Sequence, residues 1–259
     1  VLRFRLPPFV LFAALVAAGP ALAWNPASQE AIAREAARLA PPDLYRQLVR
    51  NREAYVLGSV DPFKWRTAEE MASNEDGSGR LEATTARKIE EAIAAIEAHR
   101  PFNEISYRLG VVAHYVAAAN DPLNTSDRDA AEARYGADYR RYLESAQGRF
   151  KVVFYGFRPK MNGRGSLERM LGETIARGRS LYPFIGREYR RVGFAPGVKV
   201  FDDRSTAYGV GAIAFSRAVS DIAEVLRYIW LRAGGIDTRE RLPVYGRSRI
   251  LLPRPSSGR

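Results

Sequence analysis

The chain of 259 residues contains two histidines and no cysteine. Thiol nucleophiles, disulfides and thiolate metal sites are therefore excluded, and imidazole chemistry must use His99 or His114. His114 lies within Ile105 to Thr125. There Ile105, Leu109, Val112 and Val116 recur at helical spacing, and Gly110, Ala117 and Ala118 surround the imidazole on the other side. A helix that is apolar on one face and small on the other is buried on both. Its imidazole is either a ligand in a closed site or a packed core histidine. His99 and Arg100 end the preceding amphipathic segment just before Pro101. Cations there complement a helix C-terminus, which makes His99 a capping residue. Asp61, in Leu57-Gly58-Ser59-Val60-Asp61-Pro62, is a carboxylate that reads equally as a ligand and as part of a plain Asp-Pro turn. No Gly-x-Ser-x-Gly, Walker loop or dinucleotide fingerprint is present.

The elements that would position these groups are helices. Periodicity predicts helices over about Ser28 to Leu39, with Ser28 as cap, and from Asp43 as cap, with Leu44, Leu48 and Val49 inward. Others follow over about Ala83 to Ala98, Ile105 to Ala119, Asp129 to Ala146, Leu167 to Leu181 and Thr206 to Ala233. Pro122 stops the His114 helix, and Gly234-Gly235 ends the last. Arg217, Asp221 and Glu224 mark a polar face on that last helix, so it is no membrane span. Glu69 to Arg80 is polar and Gly-containing, and Asn162 to Ser166 is basic; both read as flexible loops. Strand signals are almost absent. At 46% hydrophobic and 27% charged, the chain can bury one sizeable core. The expectation is an all-α, single multi-helix domain over 24–235, with an Arg- and Pro-rich extended tail over 236–259.

Residues 1–23 read as a secretory signal: Arg3 and Arg5, an apolar run from Phe9 to Ala18, then Ala21-Leu22-Ala23 as cleavage site. Cleavage makes Trp24 the new N-terminus. This placement, with His114-Tyr115-Val116-Ala117-Ala118-Ala119-Asn120-Asp121-Pro122-Leu123-Asn124, resembles the zinc-dependent phospholipase C / S1–P1 nuclease superfamily. Its usual central motif is His-Tyr-x-x-Asp-x-x-x-Pro-Leu-His. The resemblance covers about Trp24 to Ala146. It implies a mostly helical, secreted phosphodiesterase fold around three zinc ions, with the free amine and carbonyl of the N-terminal Trp among the ligands.

Several family ligands are replaced here. Gln29 stands where a His follows the Trp, Ala118 where the motif has Asp, and Asn124 where it ends in His. Tyr135 and Tyr139 have the spacing of a His-x-x-x-Glu/Asp pair, and Asp138 and Glu144 beside them read as solvated helix carboxylates. Neutral amides are poor zinc ligands. The metal ligands that the resemblance leaves are Trp24 through its main chain, Asp61 and His114: one zinc ion or none.

The chain carries a formal +11, and the signal accounts for two of those charges, leaving +9. That favours anionic partners, either an anionic surface or a phosphodiester ligand, with phospholipid ahead of nucleic acid because the Arg are dispersed. The sequence thus describes an exported (secreted or periplasmic) phospholipase C/P1 nuclease-like protein with a degenerate zinc site and weak or no phosphodiesterase activity. The alternative is an active metal-dependent phosphodiester hydrolase with a reduced metal site. N-terminal sequencing of the exported protein is expected to start at Trp24. A mature form that keeps Arg3 and Arg5 would contradict the export reading.

Overall fold

The computed structural model describes residues 24–158, 161, 163, 165–237 and 249–251. Residues 1–23, read above as a signal, most of the tail, and Asn162 and Arg164 of the basic loop lie outside them. Nine α-helices are found among the described residues: α1 (Pro26–Ala37), α2 (Pro42–Arg50), α3 (Arg52–Val60), α4 (Leu81–Glu97), α5 (Phe102–Ala119), α6 (Glu132–Ala146), α7 (Ser166–Arg191), α8 (Gly197–Val200) and α9 (Thr206–Arg232). Two three-residue strands, β1 (Val152–Phe154) and β2 (Arg249–Leu251), pair antiparallel with Val153 opposite Ile250. The expected all-α fold is the one present.

The fold is built around α5. From Leu109 to Ala119 every residue of this helix is buried, because it packs against α3, α4 and α9 on different sides. The approach of α3 is the tightest, and glycines make it possible. A Cβ on Gly110 would overlap the Tyr55 carbonyl oxygen and lie 2.8 Å from the Ser59 nitrogen. A Cβ on Gly58 would overlap the Tyr107 carbonyl oxygen. The expectation that Gly110 serves close packing holds, and its counterpart is Gly58.

Several element ends differ from the sequence reading for identifiable reasons. α1 begins at Pro26, and its cap is Asn25, whose side chain accepts from the Ser28 N–H at 2.7 Å. Ser28 is itself buried inside the helix. α2 starts at Pro42 after Pro41, with Asp43 in its first turn rather than at its cap. His99 does close α4, but through its backbone. It sits at φ 51, and the Arg100 and His99 N–H groups donate to Ala95 and Ile96. This is the Schellman arrangement usually made by glycine. α7 does not stop at Leu181; it continues through Pro183 to Arg191. Pro183 lies on the exposed side, so the loss of one helical donor is tolerated, and the stripe of Tyr182, Ile185 and Tyr189 keeps the next turns anchored.

Two segments expected to be loose are tied down. The Glu69–Arg80 connection folds back over the end of α5. Ser73 N–H donates to the Asn124 carbonyl at 2.8 Å, and the Arg179 guanidinium donates to the Ser73 and Thr125 carbonyls. In the tail, Arg249–Leu251 returns as β2 instead of trailing away. On its other side β1 is matched by a column on α9. The Val153 and Tyr155 N–H groups donate to Ser216 and Ser220, and the Arg158 N–H donates to Glu224.

The core contact gives a clear expectation. Gly110→Ala is expected to destabilise the chain by about 3 kcal/mol or more, since rigid backbone rather than a movable side chain meets the new methyl. Chemical denaturation of the purified variant measures it; a loss within about 0.5 kcal/mol would mean that α3 and α5 are not held this closely.

Candidate ligand site

The C-terminal half of α5 carries the motif residues, and its carbonyls receive several of the side chains singled out in the sequence. A helical carbonyl oxygen has a lone pair left after its backbone bond. Four of them accept side-chain donors here. Gln29 Nε2 donates to Ala113 at 3.3 Å, Asn120 Nδ2 to Val116 at 3.1 Å, Trp24 Nε1 to Ala117 at 3.0 Å and Asn124 Nδ2 to Ala118 at 3.0 Å. Gln29, Trp24 and Asn124 are buried. Trp24 also meets the Phe215 ring edge-on, centroids 6.1 Å apart. Gln29, Trp24 and Asn124 therefore each direct a side-chain N–H into the backbone of the central helix.

His114 follows the same logic across the helix interface. Its Nδ1 lies 2.9 Å from the Ser59 carbonyl of α3. A carbonyl can only accept, so Nδ1 carries the proton and Nε2 presents a lone pair. That Nε2 is buried and has no partner within the protein. The Phe63 ring meets the imidazole edge-to-face at 4.8 Å. Burial, and secondarily the nearby Arg66 cation, push the His114 pKa down to about 3, so the ring is neutral near pH 7.

Asp61 opens the 3-10 turn Asp61–Lys64 and points elsewhere. One oxygen accepts from Lys64 Nζ at 2.7 Å and the other from the Tyr107 hydroxyl at 3.0 Å. Those partners, Lys64 first, hold its carboxyl below the ordinary range. Tyr107 precedes His114 by seven residues, roughly 10 Å along the helix axis. Trp24 and Asp61 thus reach α5 at Ala117 and Tyr107, while His114 turns away to Ser59 of α3, and no hydrogen bond or ring contact joins any two of the three. Among the described residues no group of three His, Cys, Asp or Glu is placed to hold a metal ion. The residues present do not fit a three-zinc cluster.

On α6, Tyr135 and Tyr139 are fully buried. Tyr135 donates to Asp129 at 3.0 Å and stacks on Tyr189 at 5.1 Å, and Tyr139 donates to the Ala207 carbonyl at 3.1 Å. Asp138 is no idle solvated carboxylate. It accepts from the Tyr189 hydroxyl at 2.8 Å and the Gly197 N–H at 2.6 Å, which clamps α7 and α8 to α6. Glu144 is exposed, as expected.

With this geometry in view, the chain can be set beside known proteins. No family model matches the sequence, and no curated protein matches it. A crystal structure of the alpha-toxin of Clostridium perfringens, isolated from avian strain SWCP, is similar in fold. It aligns with a TM-score of 0.62 at 11% identity, over 85% of this chain and 66% of that chain. The chain thus spans just under two thirds of the length of that toxin. At such low identity the likeness is one of fold alone, and the fold is all-α and phospholipase C-like.

The motif reading passed over a second set of groups at the same end of α5. Asp121 is buried, and its side chain accepts from the Leu123 N–H at 3.0 Å. Burial pushes its carboxyl up, against the pull of Arg140 and Arg66. Arg66 lies over the Phe63 ring, 4.5 Å from its centroid. Burial pushes the Arg66 guanidinium down to about 10. Arg66 Nη1, Arg140 Nε and Nη2, and the Tyr115 hydroxyl are all buried without a partner in the protein. Each such group left unmade costs about 1–3 kcal/mol, and more when charged. The available signal was faint: Glu132, Gly136 and Arg140 at four-residue spacing leave a guanidinium beside a glycine, and nothing in the sequence places Arg66 near it.

The His114 shift has a testable sign. In the folded chain its pKa, about 3, lies well below the ordinary 6.5 of a histidine. Below about 6.5 the unfolded chain takes up a proton that the native ring refuses, so stability is lost as pH falls toward 3. The stability advantage of wild type over His114→Gln is therefore expected to shrink by about 1.4 kcal/mol per pH unit below 6.5. Denaturation midpoints from pH 7.5 to 4.5 provide the check, and a constant difference would contradict a buried neutral imidazole.

Proposed function

We propose that this chain is an exported phospholipase C-like protein with a dismantled metal site, which binds anionic, phosphate-bearing partners and has weak or no phosphodiesterase activity. Phospholipid ranks ahead of nucleic acid as partner. The observation that carries the reading is the use of the ligand positions. Gln29 and Asn124 give their side-chain N–H groups to α5 carbonyls, and Ala118 offers no donor atom. Metal clusters need ionised or basic ligands aimed inward and supported by further hydrogen bonds. Here the two amides donate to the helix backbone instead. The phospholipase C-like fold supports a phosphodiester-related role without deciding between binding and hydrolysis.

One observation favours the second reading, a hydrolase with a single metal. His114 keeps a buried, unprotonated Nε2 without a partner, which is the form in which an imidazole ligates zinc. The Trp24 main chain and Asp61 would have to complete that site, and the Asp61 carboxylate would first have to leave Tyr107 and Lys64. A bound metal there would supply a polarised water.

The experiment is metal analysis of the processed protein together with hydrolysis assays on phosphatidylcholine and single-stranded DNA. At most one zinc per chain and little turnover are expected, with His114→Ala lowering stability more than any rate. Two or more zinc ions per chain, with a robust rate that His114→Ala abolishes at unchanged melting temperature, would overturn the binding-protein reading.

A further inference from the structure

The polar groups around Arg66 and Arg140 call for an occupant. Arg66 follows Trp65, whose ring tilts over Tyr115 at 6.5 Å. Its guanidinium lies on the Phe63 face at 4.5 Å, and Phe63 in turn packs on His114. This fixes Arg66 against the same end of α5 that carries Tyr115 and Asp121. Arg140 approaches from α6: its Nη1 would lie 3.3 Å from a Cβ on Gly136, so the absence of a side chain there makes room for it. Arg66 is the middle member: it interacts electrostatically with Tyr115 on one side and with Asp121 and Arg140 on the other. Three of their nitrogens and the Tyr115 hydroxyl, on a side chain that is 0% exposed, are buried with no hydrogen-bond partner.

Water could accept these bonds, but it would leave two like charges facing each other. An anion accepts the bonds and removes the repulsion. Asp121, and Glu132 beside Arg140, only partly do so, since burial favours the neutral form of each carboxyl. Guanidinium forks match the oxygens of a tetrahedral oxyanion, two bonds at a time.

We propose that Arg66, Arg140 and Tyr115 form a metal-independent site for the phosphate group of a ligand, beside the disused metal-ligand positions of α5. The assignment of phosphate as the anion rests on the binding reading above. In this arrangement fixed organic cations take over the charge stabilisation that the family fold otherwise draws from metal ions. Two arginines on separate elements, the turn after α3 and the middle of α6, then close on one ligand.

The test uses the processed chain in EDTA, titrated with inorganic phosphate at constant ionic strength and followed by calorimetry and melting temperature, with chloride as control. Saturable phosphate binding that raises the melting temperature is expected. Arg66→Gln and Arg140→Gln should each weaken it by about tenfold or more, and Tyr115→Phe by less, as fits charged against neutral hydrogen bonds. Arg140→Lys keeps the charge without the fork and should fall between. Circular dichroism confirms that each variant is folded, and the wild-type titration stands without them. Competition by phosphocholine, or by vesicles containing phosphatidic acid, tells a soluble phosphate from a lipid headgroup; either supports the site. Absence of saturable phosphate binding by wild type, or wild-type affinity in both arginine variants, would overturn it and leave a hydrated charge cluster around Asp121. Because chelator is present throughout, this result is independent of the zinc and hydrolysis measurements. A zinc-loaded, active protein would sink the earlier reading while phosphate binding in EDTA could still succeed.

Discussion

The approach of α3 to α5 at Gly58 and Gly110 is the constraint from which the rest follows. Without side chains at those two points, backbone meets backbone, and the Ser59 carbonyl comes within 2.9 Å of His114 Nδ1. That single bond selects the tautomer, and burial then keeps the ring neutral. It also fixes the turn that follows, so Phe63 reaches the imidazole and Arg66 reaches Phe63. The position of a cation at the end of α5 is thus set by the absence of two methyl groups several turns away. Close helix contact does here what a ligand bond does in a metalloprotein: it locks the rotamer and orientation of a histidine.

Interior electrostatics explains why amides suit these buried positions. A carboxylate or imidazolium in the core is expensive unless a metal or counter-ion answers it. A neutral group that can donate to a helical carbonyl is the cheaper occupant, each bond giving a net of about 1 kcal/mol. The carbonyls of Ala113, Val116, Ala117 and Ala118 are each used in this way. A charge that does remain inside is heavily partnered. Asp221 on α9 accepts from Asn120, Thr174, Arg177 and Arg158, and so joins α5, α7 and the segment after β1. Arg66 and Arg140 are the contrast: cations brought inward without such bonds.

Much of the architecture was legible in the sequence because it rests on periodicity. The stripe Ile105, Leu109, Val112, Val116 and the small residues opposite located α5 and its burial on both sides, and Gly110 announced a close neighbour. Helix ends were less legible, since proline and histidine act by context. Pro183 sits on a solvent face and does not end α7, while His99 takes a left-handed conformation that composition alone assigns to glycine. The site was legible only in part. Motif spacing could single out Gln29, Asn124 and Asp61, but not that Gln29 and Asn124 turn to backbone carbonyls, nor that Asp61 turns to Tyr107. Arg66 and Arg140 are 74 positions apart. They belong to a common cluster only through tertiary packing, to which periodicity is blind.

The column of Ser216, Ser220 and Glu224 along β1 has a bearing on solubility. A three-residue strand with one partner would ordinarily leave a free edge, and free edges recruit foreign strands. Here the outward N–H groups of Val153 and Tyr155 are occupied by hydroxyls spaced one helical turn apart, since two residues of strand span nearly the same length as four residues of helix. A helix surface is thereby cut to the repeat of a β-edge. It serves as a terminating rail, one that cannot itself be extended, so edge-to-edge polymerisation through that side of β1 is closed off without proline, bulge or charge on the strand.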